Sequence, residues 1–219
     1  MKKGFTLAEV LITLAIIGIV AALTIPTVVN NYQKKAQYTA FMKMYNTLTN
    51  VFDLAQGEFG TPSNWSFDNS NRSQTARVYI YPYLKISKIC EDASIVNCIP
   101  SYDVKFLEGT AAGTSSNIFQ GNGLTVIMQD GSILYIRPYR HSSYQDTIGN
   151  IETYFDTNGE KGPNTIGRDI FIMEYKYSDN KWGFNFNETG FGPDYCNPSS
   201  TYQGQGCAAK LLQEGKMDY

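Results

Sequence analysis

Between Phe5 and Ile25 the chain reads FTLAEVLITLAIIGIVAALTI, about 21 residues in which Glu9 is the single charge. As a helix rising about 1.5 Å per residue, the run extends about 32 Å, enough to cross the hydrocarbon core of a bilayer. Lys2 and Lys3 stand just before it. The positive-inside rule then keeps the N-terminus in the cytoplasm and exports everything after Pro26.

Three readings compete for this run. A secretory signal peptide has an apolar core of about 7–15 residues and a small-residue cleavage site; here the run is longer and holds a carboxylate. A plain membrane anchor accounts for the length but not for Glu9, because an ionisable group in a spanning helix is costly and marks function. The third reading uses the carboxylate. With Met1–Gly4 removed, Phe5 becomes a charged N-terminus, and Glu9 lies four residues on, on the same helix face. In a bundle of such helices, Glu9 of one subunit meets the Phe5 ammonium of a neighbour. That contact pairs two charges otherwise buried alone. It also sets axial register, as a buried polar group does in coiled coils.

Lys2-Lys3-Gly4-Phe5-Thr6-Leu7, followed one residue later by Glu9, resembles the class III signal sequence of type IV pilins and type II secretion pseudopilins. The resemblance implies cleavage between Gly4 and Phe5 by a prepilin peptidase, N-methylation of Phe5, and Glu9 as the register carboxylate. Pro26 falls where that family often bends its helix. The expected partners are copies of the chain itself, other pilins or pseudopilins, the peptidase and an inner-membrane assembly platform. The expected location is a single pass through the inner membrane with the head exported, then a periplasmic or cell-surface filament. The likeness covers roughly the first thirty residues, so it speaks to the assembly route and leaves the head's task open. A minor pilin whose head binds a ligand or surface, and a tethered binding domain that never polymerises, are the alternatives. Glu9 favours polymerisation, because a monomeric tether has no use for it.

Past Pro26, Val29, Tyr32, Ala36, Phe41, Met44, Tyr45, Leu48, Val51, Phe52 and Ala55 recur mostly at three- or four-residue steps. The pattern predicts a helix over about 28–56, ended by Gly57 and Gly60-Thr61-Pro62, with its apolar face packed under the head. Residues 59–73 and 108–123 read as loops, and 74–90 leans towards a short helix. LTVIMQ and SILYIR around Asp130-Gly131 predict a hairpin with a primed turn. ETYFD (152–156) reads as a third strand, and DIFIMEYKY with KWGFNF as a second hairpin around Ser178-Asp179-Asn180. The tail from 187 reads as irregular. The expected organisation is a leader (1–4), a transmembrane and assembly helix (5–26), an amphipathic stalk helix (27–58) and a β-rich head (59–219). The fold class is α+β, a long helix on an antiparallel sheet in a pilin-like roll.

A formal net charge of −2 gives no basic surplus, so nucleic acid is not an expected partner. Cys90, Cys98, Cys196 and Cys207 include no CxxC, and His141 is the only histidine, which argues against a zinc site. In an exported chain an even count reads as disulfides. Sequence allows three pairings, of which Cys90–Cys98 and Cys196–Cys207 close the shorter loops.

No catalytic set is visible. His141, Ser142 and Asp146 share one polar stretch without the geometry of a triad. Asp130 and Glu152 read as turn and strand-surface residues, and Tyr79, Tyr81 and Tyr83 read as packing. The segment 154–171 holds Asp156, Asn158, Glu160 and Asp169 around Gly159 and Gly162, and is the candidate calcium loop. It resembles a loop that recurs in pseudopilin-like heads, some of which bind calcium. The competing reading is a turn held by Asx hydrogen bonds.

Overall fold

The computed structural model describes residues 4, 6–68, 70–90, 95–140 and 147–219. A single helix, α1, runs from Leu7 to Phe59. It starts at Thr6, whose side chain caps the Glu9 amide, and it continues through Pro26. Gly57 lies inside it rather than ending it. Termination waits for Gly60, whose positive φ of 75° a side chain would resist and whose N–H bonds back to Gln56 O at 3.0 Å.

The buried face of α1 is Phe41, Met44, Leu48, Val51, Phe52 and Ala55. Val29, Tyr32 and Ala36, expected in the same stripe, are exposed. The periodicity is continuous, but core packing begins only near Tyr38.

The remaining elements are α2 (Arg72–Tyr79), β1 (Ile86–Cys90), α3 (Ile95–Cys98), β2 (Asp103–Lys105), β3 (Ala111–Thr114), α4 (Ser115–Ile118), β4 (Leu124–Met128), β5 (Ile133–Arg140), β6 (Ile148–Asp156), β7 (Ile170–Ser178), β8 (Lys181–Asn185) and α5 (Cys207–Glu214). Six strands form one antiparallel sheet in the order β1-β4-β5-β6-β7-β8, and β2 and β3 form a separate ribbon. The architecture is α+β, a long helix packed on an antiparallel sheet. Pro138 is tolerated in β5 because β4 pairs only with residues 133–136, leaving Pro138 on an open edge facing Ile151 alone.

Strand alternation builds two cores. Leu134, Ile136, Phe155, Phe171, Met173 and Tyr175 face α1, where Phe52 stacks on Tyr175 with ring centroids 3.9 Å apart. Ile133, Tyr135 and Ile170 face the other way, under Ile99, Val104 and Phe119. Phe119 and β3 lie within 108–123, so that stretch is not simply a loop: its Gly/Ala/Ser/Thr content suits a small ribbon under a single large anchor. The polar stretch 59–73 likewise hides Trp65 and Phe67. Trp65 stacks on Tyr79 at 4.8 Å and donates its indole N–H to Gly60 O. Residues 74–90 split into the end of α2 and strand β1. The tail contains α5, which buries Cys207, Ala208 and Leu211.

The Asp130-Gly131 hairpin uses a different turn from the one its sequence suggests. At Asp130-Gly131, Gly131 N bonds Met128 O, Met128 N bonds Ser132 O, and only Gly131 has positive φ. That is a three-residue loop closing on a left-handed glycine, not a primed turn. The primed geometry falls instead on Asp179 and Asn180, both left-handed at φ 50° and 63°.

Cys90 is bonded to Cys98 and Cys196 to Cys207, with Cα atoms 5.5 and 4.4 Å apart. The first bridge ties the end of β1 to α3. The second pins α5 to the turn before it. In the chain-entropy account each such short loop contributes about 2–3 kcal/mol.

Candidate functional site

The N-terminal half of α1 is bare. It contains a helical stretch long and apolar enough to cross a membrane, and none of that window is buried. Leu7, Ile19 and Leu23 are 78%, 64% and 73% exposed. An apolar surface of this extent on a folded chain marks contact with lipid or with other chains.

Thr6 and Glu9 form a reciprocal capping box at its start. The Thr6 amide and hydroxyl each donate to Glu9 Oε2 at 2.8 Å, while the Glu9 amide donates to Thr6 Oγ1 at 3.3 Å. Glu9 therefore has a use within one chain, which the sequence reading did not foresee; the signal was the Thr-x-x-Glu spacing. Gly4 is exposed just ahead of the box. Lys2, Lys3 and Phe5 lie outside the described residues.

In the head, the loop between β6 and β7 brings Asp156 and Asp169 together, both fully buried. Asp156 Oδ1 accepts from the Asn158 and Gly159 amides at 3.0 and 2.9 Å, and Oδ2 from the Tyr102 hydroxyl at 2.6 Å. Asp169 accepts from the Asn164 and Thr165 amides at 2.8 and 2.7 Å. Gly159 has positive φ, and a Cβ there would stand 2.8 Å from Gly131 O, so the loop closes against the β4–β5 turn only with glycine. Burial pushes the Asp156 carboxyl up to about 7 against the pull of its donors. Burial also raises Asp169, and raises the Tyr102 phenol with help from the Asp156 charge. Glu160 stays exposed, and Asn158 is half-buried. Among the described residues no three His, Cys, Asp or Glu side chains gather as a metal group. Asp156, Asn158 and Asp169 thus lie together while Glu160 is exposed, and the two aspartates serve as acceptors that fold the loop.

The other singled-out residues are structural ties. Asp130 takes the Ser132 amide and hydroxyl and reaches Lys43 on α1 at 2.6 Å. Glu152 accepts from Arg137 at 2.8 Å, Tyr154 at 3.0 Å and Tyr139 at 3.2 Å. Arg137 lies over the Tyr139 ring, 4.7 Å from its centre. Arg137, Glu152 and Glu174 stand opposite one another on β5, β6 and β7. Period-two reading of the three strands would have found that row. Tyr79 and Tyr83 are held by Ser66 and Glu58, while Tyr81 is exposed. His141, Ser142 and Asp146 lie outside the described residues.

Residues 1–25 match the family model described as the prokaryotic N-terminal methylation motif, the signature of type IV pilins and pseudopilins. No curated protein and no solved structure matches the chain.

Proposed function

We propose that this chain is a filament subunit, a pilin or pseudopilin cut between Gly4 and Phe5, methylated at Phe5 and assembled through α1 into a type IV pilus or type II secretion-like filament. The observation that carries the reading is an unburied apolar half-helix continuous with a disulfide-stapled head, joined to the methylation motif at residues 1–25. The bare face first takes lipid as its solvent and then other copies of α1. Within the bundle Glu9 meets the Phe5 ammonium of a neighbouring subunit. Its capping role does not compete with this, because the second oxygen of the carboxylate, Oε1, carries neither of the Thr6 bonds. The head would lie in the periplasm or on the cell surface. Electron microscopy of sheared surface or periplasmic filaments, with this chain detected in them by peptide sequencing, tests the reading. Recovery of the chain only as a dispersed membrane protein, under conditions where filaments form, would overturn it and favour a tethered binding domain.

A further inference from the structure

Val28, Val29 and Tyr32 are 65%, 46% and 74% exposed, so the bare apolar surface of α1 runs on past Pro26. From Leu7 to Val29 it extends about 33 Å, close to the thickness of a hydrocarbon core. Tyr32 then falls among the headgroups, where aromatic side chains collect. Lys34 follows Val29 by about 7–8 Å of helix, at the depth of the lipid phosphates. At this level Asn30, Gln33, Lys34 and Gln37 share one face of α1, at spacings of three and four residues. They border an open cleft of about 590 Å³, and its other wall is the β6–β7 loop, with Asn158, Pro163 and Arg168.

The lining of this cleft holds two cations, four side-chain amides and no carboxylate. Lys34 and Arg168 are half-buried, and among the described residues neither is in a salt bridge. Asp218 acts on Lys34 only at longer range and is itself paired with Lys216 across α1. Glu160 is exposed on the same loop but outside the lining. Asp156 and Asp169 are buried, with their oxygens accepting from amides and from Tyr102. The cleft therefore keeps a positive surplus at the membrane surface. Arg168 and Lys34 suit a phosphate, the first by its planar fork and the second as a point charge. A choline or ethanolamine ammonium would be repelled by both. We propose that the cleft holds the headgroup of an anionic phospholipid of the phosphatidylglycerol class, with its phosphate between Lys34 and Arg168 and its glycerol hydroxyls against the amides. Val29, one turn before Gln33 on the membrane side, meets the acyl chains. The contact fixes the tilt and rotation of the chain on the bilayer before assembly. The proposal rests on α1 crossing the membrane, part of the function proposed above, and not on the filament.

Electron spin resonance on the full chain in phosphatidylcholine vesicles tests it, with trace spin-labelled phosphatidylglycerol or phosphatidylcholine as the probe. Lys2→Gln and Lys3→Gln are introduced throughout, to remove the cations at the other end of the span. The chain should immobilise phosphatidylglycerol in preference to phosphatidylcholine by about threefold, since each cation near the surface adds attraction. The preference should fall below about 1.5-fold when Lys34→Gln and Arg168→Gln are combined, and stay unchanged in Lys181→Gln, on β8. Inorganic phosphate in place of chloride at equal ionic strength should not displace the lipid; displacement would mark a site for soluble anions and overturn the lipid assignment. Equal immobilisation of both lipids by vesicle-bound chain, or a preference unchanged in the double variant, would overturn the proposal while leaving α1 in the membrane. Chain that fails to float with the vesicles would overturn both.

Discussion

Substitution at Glu9 separates capping from charge pairing. Glu9→Gln keeps an oxygen able to complete the capping box with Thr6 but removes the charge. Glu9→Ala removes both, and Thr6→Ala removes the hydroxyl of the cap while leaving the charge. Both Thr6 donors converge on one Glu9 oxygen at 2.8 Å, and losing such a cap costs about 1 kcal/mol. An ammonium left unpaired in an apolar bundle costs about 3 kcal/mol per contact. At about 1.4 kcal/mol per decade, the charge is worth about a hundredfold in each subunit contact and the cap less than tenfold. Glu9→Gln and Glu9→Ala should therefore both lose filaments, and Thr6→Ala should stay near the unaltered chain. Membrane insertion should be unaffected throughout, because loss of a carboxylate makes the span more apolar. The assay is filament yield after shearing, normalised to chain in the membrane fraction. Normal yield from Glu9→Gln beside a defect in Glu9→Ala would show that the carboxylate only caps its own helix, and would refute the pairing argument.

Phe52→Ala removes a fully buried ring stacked on Tyr175 and edge-on to Phe184 at 5.7 Å. It should cost about 3–5 kcal/mol, a fall in Tm on the order of 10 °C by calorimetry of the chain in detergent; a fall under about 3 °C would mean that this packing is not central. Asp156 binds its proton more tightly folded than unfolded, so its contribution to stability is present at low pH and is lost as pH rises from about 4 through about 7. Melting temperature should fall between pH 5 and 8, and Asp156→Asn, which still accepts from the Asn158 and Gly159 amides, should flatten the fall; a variant with an unchanged slope would contradict this. Calcium and chelator should give the same melting temperature, since backbone amides and the Tyr102 hydroxyl already occupy the two aspartates; a rise of several degrees in calcium would show that the loop gathers further oxygens.

The long helix and the two hairpins were legible because each is written in local periodicity. What local pattern could not show was where tertiary contact stops. Val29, Tyr32 and Ala36 continue the stripe of Phe41 and Met44, yet core packing begins only near Tyr38, so they are exposed. Trp65 and Phe119 looked like residues in polar loops because a single anchor has no period. The turn at Asp130-Gly131 departs from the primed form for a related reason. Asp-Gly suits both the primed turn and the left-handed closing position, and strand pairing decides between them. At the candidate sites, residue types identified Asp156 and Asp169 as special but not what filled their oxygens. Tyr102 comes from a distant segment, and the amide donors depend on loop geometry. The row of Arg137, Glu152 and Glu174 lay open to a period-two reading of three strands, but its register depends on pairings between segments far apart in the chain.

On the proposed function, residues 1–4 are a leader and Phe5 is the working N-terminus of a filament subunit. Intact-mass and N-terminal peptide mass spectrometry of the membrane-associated chain tests it most directly. The mature chain should begin at Phe5 and carry one added methyl group on its amine. An intact Met1, or an N-terminus near Ala22 as a conventional signal peptidase would leave, would contradict it.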